Sequence, residues 1–436
     1  MEEIIPKLVD DNTNNLLTML PSKEEIKNAV FSLNSDGAPG LDGFGTSFFQ
    51  TYWEIVHKDV ENAVLQFFTT GWILPNFNSN TIILIPKSPE ADSIDKYRPI
   101  ALANFKFKIL SKILADRLAS ILPNIISKEQ RGFIKGRNIR DCIATTSEAI
   151  NLIDKKCVGG NLALKIDVSK AFDTLSWNFL LKVLNQLGFN DTFCNWIHTI
   201  LISAMISISL NGSHHGFFNC KRGVRQGDPL SPLLFCIAEE VLSKGIYKLV
   251  EDDLVSRIKG TREVQVPSHC FYADDLMVFC KGKTSCLTAL KELFTRYAAC
   301  SGQIINVSKS SIYSGGISND RLHSIVNLLG FSIDSLPFTY LGAPIFKGKP
   351  KPICFQPIAD KIKAKLASWK ASLLSMAGRV QIVKSVINNM LLHTMYVYAW
   401  PVSLLREIEK WIKKLHLERG HRQKKVNHRL LKKGLF

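Results

Sequence analysis

Acidic residues interrupt two apolar segments that otherwise have the pattern of buried β-strands. Asp167 lies in the strand-like run 162–168, and Asp274 and Asp275 lie in the middle of the run 271–279. A buried carboxylate costs free energy unless it is paired or binds a cation. The chain must therefore fold so that both acidic sites find compensating charge, and this requirement restricts the possible folds more than any other feature of the sequence.

The placement of these carboxylates predicts a metal-dependent chemistry. If the two acidic sites meet, their like charges repel one another, and a divalent cation relieves that repulsion. Mg²⁺ prefers carboxylate oxygens together with substrate phosphates, and phosphoryl transfer by two ions about 3.5–4 Å apart uses such a site. Ordinary turn chemistry is the alternative, since Asp is common at strand ends and in hairpin turns.

Local patterns predict an α+β fold that becomes purely helical toward the C-terminal end. Ser22 and Glu25 have the spacing of a capping box and predict a helix that begins there. Apolar residues at helical spacing predict further helices over 106–122 and 177–187. After Pro357 the apolar residues are three or four positions apart, so we expect an all-helical region after the mixed one.

The net charge of +17 is concentrated at one end of the chain. Residues 1–340 contain 35 Lys and Arg against 34 Asp and Glu, a balance of +1, whereas residues 341–436 contain 20 against 4, a balance of +16. This distribution excludes a uniformly basic, histone-like protein. It indicates a neutral body joined to a cationic module that binds an acidic partner.

Cysteine usage and hydropathy predict an intracellular, soluble protein. The ten cysteines form no CxxC pair and lie mostly in apolar runs, so we expect buried free thiols in a reducing compartment. The longest apolar stretch, 390–405, has about 16 residues and contains polar side chains, whereas a membrane span needs roughly 20 apolar residues. The first residues lack the pattern of a signal peptide.

The acidic segments resemble motifs of reverse transcriptases. The segment 272–275, Tyr-Ala-Asp-Asp, is similar to their Y/F-x-D-D motif, and 165–175 is similar to their first palm motif. Over about 17–414 the chain resembles the non-LTR (LINE-type) retrotransposon class in its plant-like form, with the family's blocks in order. The other blocks are 37–44 (GAPGLDGF), 84–87 (LIPK), 97–100 (YRPI), 130–137 (QRGFIKGR), 223–232 (GVRQGDPLSP), 301–309 (SGQIINVSK) and 340–342 (YLG).

The resemblance implies a right-hand polymerase fold and an RNA-directed DNA polymerase. Fingers and palm would occupy 1–345, with a core over about 80–315, and a helical thumb-like region would occupy 346–414. Residues 415–436 do not resemble the family. They are rich in Lys, Arg and His without clear apolar spacing, so we expect a disordered basic tail. Expected partners are an RNA template, a DNA primer and dNTPs, with no membrane. The expected location is the nucleus, a cytoplasmic ribonucleoprotein or both. Since endonuclease and ribonuclease H segments are missing, we expect a partial reading frame.

The resemblance also implies roles for single residues. Asp167 and Asp274 would be the principal ligands of two Mg²⁺ ions, with Mn²⁺ as a possible substitute, and Asp275 would complete the acidic cluster. Phe172 lies at the position where the family has an aromatic side chain that excludes the ribose 2′-hydroxyl. The other candidates are Gln226 and Gly227 beside the incoming nucleotide, Arg98 at its triphosphate, and Lys309 as proton donor to the leaving pyrophosphate.

For three of these assignments the sequence leaves an alternative open. Phe172 could simply pack in the core, Gln226 could belong to a polar turn, and Lys309 could be a solvated lysine. Asp173 and Asp228 are expected at helix starts or turns rather than on a metal. For the whole chain, the main alternative is an inactive retroelement fragment that only binds nucleic acid; a host maturase or an RNA-templated RNA polymerase fits the blocks less well.

Overall fold

The computed structural model describes residues 4–260, 265–370 and 374–417. The chain divides into two units, Met1–Thr145 with Leu152–Asp334 and Thr146–Asn151 with Ser335–Phe436. Helices and strands alternate through the first unit, and helices dominate the second. The predicted α+β class is therefore confirmed.

The helices of the first unit begin where the sequence supplies caps and apolar periodicity. The Ser22 hydroxyl accepts a hydrogen bond from the Glu25 backbone N–H at 3.1 Å, so the predicted cap is confirmed. The predicted helices over 106–122 and 177–187 are present as α5 and α8. The helices are α1 Asp11–Thr18, α2 Lys23–Ser32, α3 Thr46–Thr51, α4 Trp53–Thr70, α5 Phe105–Ile125, α6 Ile139–Asn151, α7 Ala171–Thr174, α8 Trp177–Leu187, α9 Asp191–Ile202, α10 Ser231–Glu251, α11 Thr284–Ser301 and α12 Asn319–Leu329. The last six residues of α6, Thr146–Asn151, belong to the second unit.

The strands of the first unit form two sheets, which we call the fingers sheet and the palm sheet. The fingers sheet has the order β2-β1-β4-β5, and the palm sheet has the order β6-β7-β3-β8-β9. The strands are β1 Ser79–Pro86, β2 Tyr97–Ala103, β3 Asn161–Ile166, β4 Met205–Leu210, β5 Ser213–Asn219, β6 His269–Tyr272, β7 Asp275–Lys281, β8 Ser311–Gly315 and β9 Ser332–Ile333.

The centre of the palm sheet is the antiparallel pair of β3 and β7. Ile166 lies opposite Leu276, and both side chains are buried. Strand β6 joins β7 through a tight hairpin in which Tyr272 pairs with Asp275. The apolar runs that flank the acidic residues are therefore the buried strands that their composition predicts.

The second unit contains a short hairpin followed by helices. Its elements are β10 Phe338–Tyr340, β11 Ala343–Ile345, α13 Pro352–Lys370, α14 Met376–Ile382, a π-helical turn Val383–Ile387, α15 Asn388–Met395 and α16 Val402–Leu417. In the hairpin turn, Leu341 and Gly342 both have left-handed backbones, and the Leu341 C=O lies 2.8 Å from a ring nitrogen of His393. Of the predicted basic tail, 415–417 end α16 and 418–436 lie outside the described residues.

Two simpler expectations concern thiols and membranes. All ten cysteines are free thiols, and seven of them are buried, as the sequence predicted. Among the described residues, no helix combines the length and the apolar character that crossing a bilayer requires.

A buried carboxyl group lies on α10 of the first unit. Glu239 on α10 is 1% exposed, and burial raises its pKa to about 8. Its Oε1 accepts a hydrogen bond from the Tyr297 hydroxyl at 3.2 Å, and its buried Oε2 has no hydrogen-bond partner among the described residues. The folded protein therefore holds this group protonated at pH values where the unfolded chain has lost the proton.

We expect Glu239→Gln to change how stability depends on pH. The contribution of Glu239 to the wild-type free energy of unfolding falls as pH rises from about 4.5 to about 8, because the folded state keeps a proton that the unfolded state releases. The neutral variant lacks this contribution, so its stability relative to wild type should rise across that window by on the order of 4 kcal/mol. Thermal unfolding at pH 4.5 and pH 8 measures the difference.

The matched control is Glu251→Gln, at the exposed end of the same helix. It should leave the pH dependence as in wild type. An equal change in melting temperature at both pH values for Glu239→Gln would contradict the protonated state assigned to this side chain.

Candidate active site

Three carboxylates lie at neighbouring strand ends of the palm sheet. Asp167 directly follows β3, and Asp275 is the first residue of β7. The register pairs Ile166 with Leu276, so the next pair along the two strands is Asp167 and Asp275, with side chains on one face. Asp274 precedes Asp275 in the hairpin turn. The β3–β7 pairing thus brings together the three acidic residues that the sequence singled out.

Burial and neighbouring negative charge raise the pKa values of Asp274 and Asp275. Desolvation raises the pKa of Asp274, and the charge of Asp167 raises it further. Desolvation also raises the pKa of Asp275 to about 6, with a further increase from the charge of Asp274 and an opposing effect of Lys165. A cation among these side chains would offset both the desolvation and the repulsion of the ionised forms.

The donor set suits Mg²⁺ chemically. Carboxylate oxygens are hard ligands, and all three candidate donors are Asp side chains. Among the residues that the structure describes, no three acidic, His or Cys side chains are already gathered closely enough to hold an ion by themselves. Mg²⁺ does not need such a cage, because it commonly keeps several waters and takes one or two carboxylates plus substrate phosphates.

The segment that carries Lys309 runs beside Asp167. The Asp167 N–H donates to the Ser310 hydroxyl at 3.2 Å, and the Asp167 C=O accepts from the Asn306 N–H at 2.8 Å. Lys309 lies between these two contacts in a single 3₁₀ turn, Val307–Lys309, and its side chain is exposed. The structure therefore places this lysine on a segment bonded to the first catalytic candidate.

Phe172 lies in α7, five residues after Asp167, with its ring half-buried. The ring stacks on Phe235 of α10, with centroids 4.4 Å apart and planes 12° from parallel. The Phe172 C=O accepts a hydrogen bond from the Val224 N–H at 2.7 Å. One face of the Phe172 ring packs on Phe235, and part of the ring remains accessible to solvent. Packing in the core is therefore compatible with a gate function.

Gln226 and Gly227 lie in a loop that contacts the fingers sheet. The Gln226 C=O accepts a hydrogen bond from the Ala101 N–H at 2.9 Å. Gly227 has a φ of +109°, and a Cβ there would lie 2.9 Å from the Ala101 C=O oxygen, so only glycine allows this approach. Gln226 also lines a cavity of about 120 Å³, together with Pro99 and Asp173.

Arg98 lies on β2 with its side chain exposed, opposite Ile85 of β1 and three residues before Ala101. The backbone bond from Ala101 to Gln226 therefore connects the strand of Arg98 to the loop of Gln226 and Gly227. The predicted nucleotide-binding residues lie on connected segments, and their individual roles stay predictions.

Asp228 is separate from the acidic cluster. It is buried, and its Oδ2 accepts a hydrogen bond from Arg225 at 2.8 Å. Its Oδ1 accepts from the Leu230 N–H at 3.0 Å and from the Ser111 hydroxyl. Asp228 is thus a turn carboxylate before α10, as expected, and Asp173 lies in the first turn of α7.

Two residues at the site were not assigned a role from the sequence. Phe235, which stacks on Phe172, looks like any apolar residue of a buried helix. Gln130 lies in one of the family-like blocks, but nothing in its neighbourhood along the chain reveals a partner. Its side-chain Oε1 accepts a hydrogen bond from the Ala273 N–H at 3.0 Å, within the hairpin that carries Asp274. Its presence in an ordered block was the only available signal.

Comparison with known proteins gives relatives over most of the chain. A Xenopus laevis protein described as "Transposon TX1 uncharacterized 149 kDa protein" is 28% identical over 374 residues, or 84% of this chain and 27% of that protein. The Pol polyprotein from type-2 retrotransposable element R2DM of Drosophila melanogaster is 27% identical over 403 residues, or 90% and 36%. The Pol polyprotein from type-1 retrotransposable element R2 of Popillia japonica is 26% identical over 332 residues, or 74% of this chain and 44% of that protein. The chain spans less than half the length of each.

Solved structures of telomerase are also similar. Apo telomerase from Candida tropicalis is 14% identical with a TM-score of 0.44, covering 89% of this chain and 66% of that one. Telomerase from Candida albicans with a fragment of telomeric RNA is 11% identical with a TM-score of 0.42, covering 78% and 60%.

The family "Reverse transcriptase (RNA-dependent DNA polymerase)" matches residues 85–345, a range that contains every candidate site residue named above. The predicted relationship to non-LTR retrotransposon proteins is confirmed by the relatives, while the plant-like form stays a prediction. The chain belongs to the reverse transcriptase family.

Proposed function

We propose that this chain is an RNA-directed DNA polymerase that extends a primer on an RNA template during retrotransposition. The observation that carries the proposal is the convergence of Asp167, Asp274 and Asp275 at adjacent strand ends of the palm sheet. Membership in the reverse transcriptase family supports it. The substrates are a DNA primer 3′-hydroxyl and a dNTP, and base pairing with the template supplies the sequence specificity.

Asp167 and Asp274 are the residues that would hold Mg²⁺, with Asp275 completing the acidic surface and Mn²⁺ as a possible substitute. Two bound ions of this kind would favour the deprotonated 3′-hydroxyl and would stabilise charge on the departing pyrophosphate. The protein's part is to hold its carboxylates on paired strands, so that little reorganisation is needed when substrate binds.

The surrounding side chains would bind and orient the nucleotide. Phe172, held by Phe235, would exclude a ribose 2′-hydroxyl, and the loop of Gln226 and Gly227 would lie along the base and sugar. Arg98 on the exposed face of β2 suits triphosphate oxygens. Lys309 would donate a proton to the leaving pyrophosphate, and its exposed position leaves it free to reach that group.

The second unit would bind the template–primer duplex. Residues 341–400 contain nine Lys and Arg and a single acid, Asp360. On α13, Lys361, Lys363 and Lys365 are exposed, whereas Ile362 and Leu366 are buried, so the charges face solvent. Cations on such a surface release counterions from the nucleic acid and give salt-sensitive, sequence-independent affinity.

Primer extension tests the proposed activity. The purified full chain should incorporate dTTP on poly(rA)/oligo(dT) with Mg²⁺, and the double variant Asp274→Asn, Asp275→Asn should incorporate at least about 100-fold less, because it loses the carboxylates that neutralise the metal charge. Asp116→Asn is the matched control, since that carboxylate is exposed on α5 and pairs with Lys112.

Equal incorporation by the wild type and the double variant would refute the assigned carboxylates. No incorporation by either protein, with salt-dependent duplex binding by both, would favour the alternative of an inactive fragment that only binds nucleic acid.

A second prediction concerns sugar selection by Phe172. Phe172→Val should raise the efficiency of rNTP use relative to dNTP use by roughly 10-fold or more, because the smaller side chain leaves room for the 2′-hydroxyl. Competition between rUTP and dTTP in the same extension assay measures this ratio. Phe218→Val, on the exposed edge strand β5, is the control; an unchanged ratio in Phe172→Val would remove the gate assignment.

A further inference from the structure

Gln130 is a buried polar residue whose side chain binds the turn between β6 and β7. It is 2% exposed, and its partners are backbone groups of Ala273, which lies 143 positions away in the sequence. The Gln130 Oε1 accepts from the Ala273 N–H at 3.0 Å, and its Nε2 donates to the Ala273 C=O at 3.3 Å. One carboxamide therefore satisfies both polar backbone groups of the residue just before Asp274.

Ala273 has a conformation that alanine disfavours. Its φ is +54°, in the left-handed region where the Cβ of an L-residue crowds the following carbonyl. A non-glycine residue stays in this region only where its surroundings hold it there. The two hydrogen bonds from Gln130 supply such a restraint at this position.

The backbone around Gln130 is fixed to the hairpin as well. The Phe271 N–H donates to the Glu129 C=O at 2.9 Å, and the Arg131 N–H donates to the Phe271 C=O at 2.8 Å. Gly132 contributes its N–H to the Gln130 Oε1 at 2.8 Å, and a Cβ on Gly132 would lie only 2.5 Å from the Ala273 nitrogen. The segment 129–132 thus lies directly against the turn at Ala273, and the turn cannot move toward this segment without a steric clash.

We propose that Gln130 is a positioning residue, which holds Ala273 in its left-handed conformation and so directs the Asp274 carboxylate toward Asp167. Its effect on catalysis rests on the proposed polymerase function, whereas its effect on the turn does not. A carboxamide is needed because the role requires an acceptor and a donor together. Glutamate keeps the shape and the acceptor but cannot donate, and alanine can do neither.

Hydrogen exchange tests the restraint without reference to activity. In the full chain, the Ala273 amide should exchange at least about 10-fold faster in Gln130→Ala than in wild type, because its acceptor is gone. Peptides from α8 should exchange as in wild type, which shows that the variant is folded. Gln50→Ala is the matched control, since the Gln50 amide binds the backbone C=O groups of Val30 and Leu33 in another part of the unit.

Steady-state kinetics on poly(rA)/oligo(dT) test the consequence for catalysis. Gln130→Ala and Gln130→Glu should lower kcat by roughly 10- to 100-fold and change the KM for dTTP by less than about 3-fold, because the carboxylate is displaced while the nucleotide site is kept. In a chain that already carries Ala273→Gly, Gln130→Ala should lower kcat by less than it does in the wild-type chain, since glycine adopts positive φ without strain.

Unchanged exchange at Ala273 in Gln130→Ala would overturn the inference. Faster exchange with an unchanged kcat would also overturn it, since the turn would then not need the restraint for catalysis. A wild-type chain that incorporates no dTTP would count against the proposed function instead, and the exchange result would still decide whether Gln130 restrains the turn.

Discussion

The antiparallel pairing of β3 with β7 is the interaction on which the candidate site depends. One register places the apolar side chains of both strands in the core and their acidic ends side by side. A slip of one residue would turn every side chain to the opposite face and would separate Asp167 from Asp275. The same contacts that bury the strands therefore also bring the like charges together, and burial of Leu276 to Cys280 offsets the cost of that arrangement.

Packing and backbone contacts hold Phe172 and the loop of Gln226 and Gly227, the proposed nucleotide-binding residues, in place. Phe235 on α10 supports the Phe172 ring, and the loop that carries Gln226 bonds to Phe172 through Val224 and to β2 through Ala101. The buried Arg225–Asp228 ion pair fixes the same loop before α10 begins. Backbone hydrogen bonds thereby join this loop to the fingers sheet on one side and to α7 on the other.

The sequence predicted those parts of the fold that depend on interactions between residues near one another in the chain, such as helix caps and amphipathic helices. Ser22 caps α2, and the helices around 106–122 and 177–187 follow from apolar spacing. The acidic cluster was predictable because charge inside an apolar strand is costly and rare. Gln130 and Phe235 were not assigned, because their partners are distant in sequence: Ala273 lies 143 residues from Gln130, and Phe172 lies on a separate element. Neither a hydrogen bond to a distant backbone group nor a stacked ring leaves a periodic pattern along the chain.

We propose that Asp167, Asp274 and Asp275 form one divalent-cation site. Cleavage of the full chain by hydroxyl radicals from bound Fe²⁺ tests it directly, because the radicals cut the backbone close to the ion. We expect cuts near Asp167 and near 273–275 together, suppressed by excess Mg²⁺ and lost in Asp274→Asn. Cuts at neither segment, or cuts that Mg²⁺ does not suppress, would contradict it.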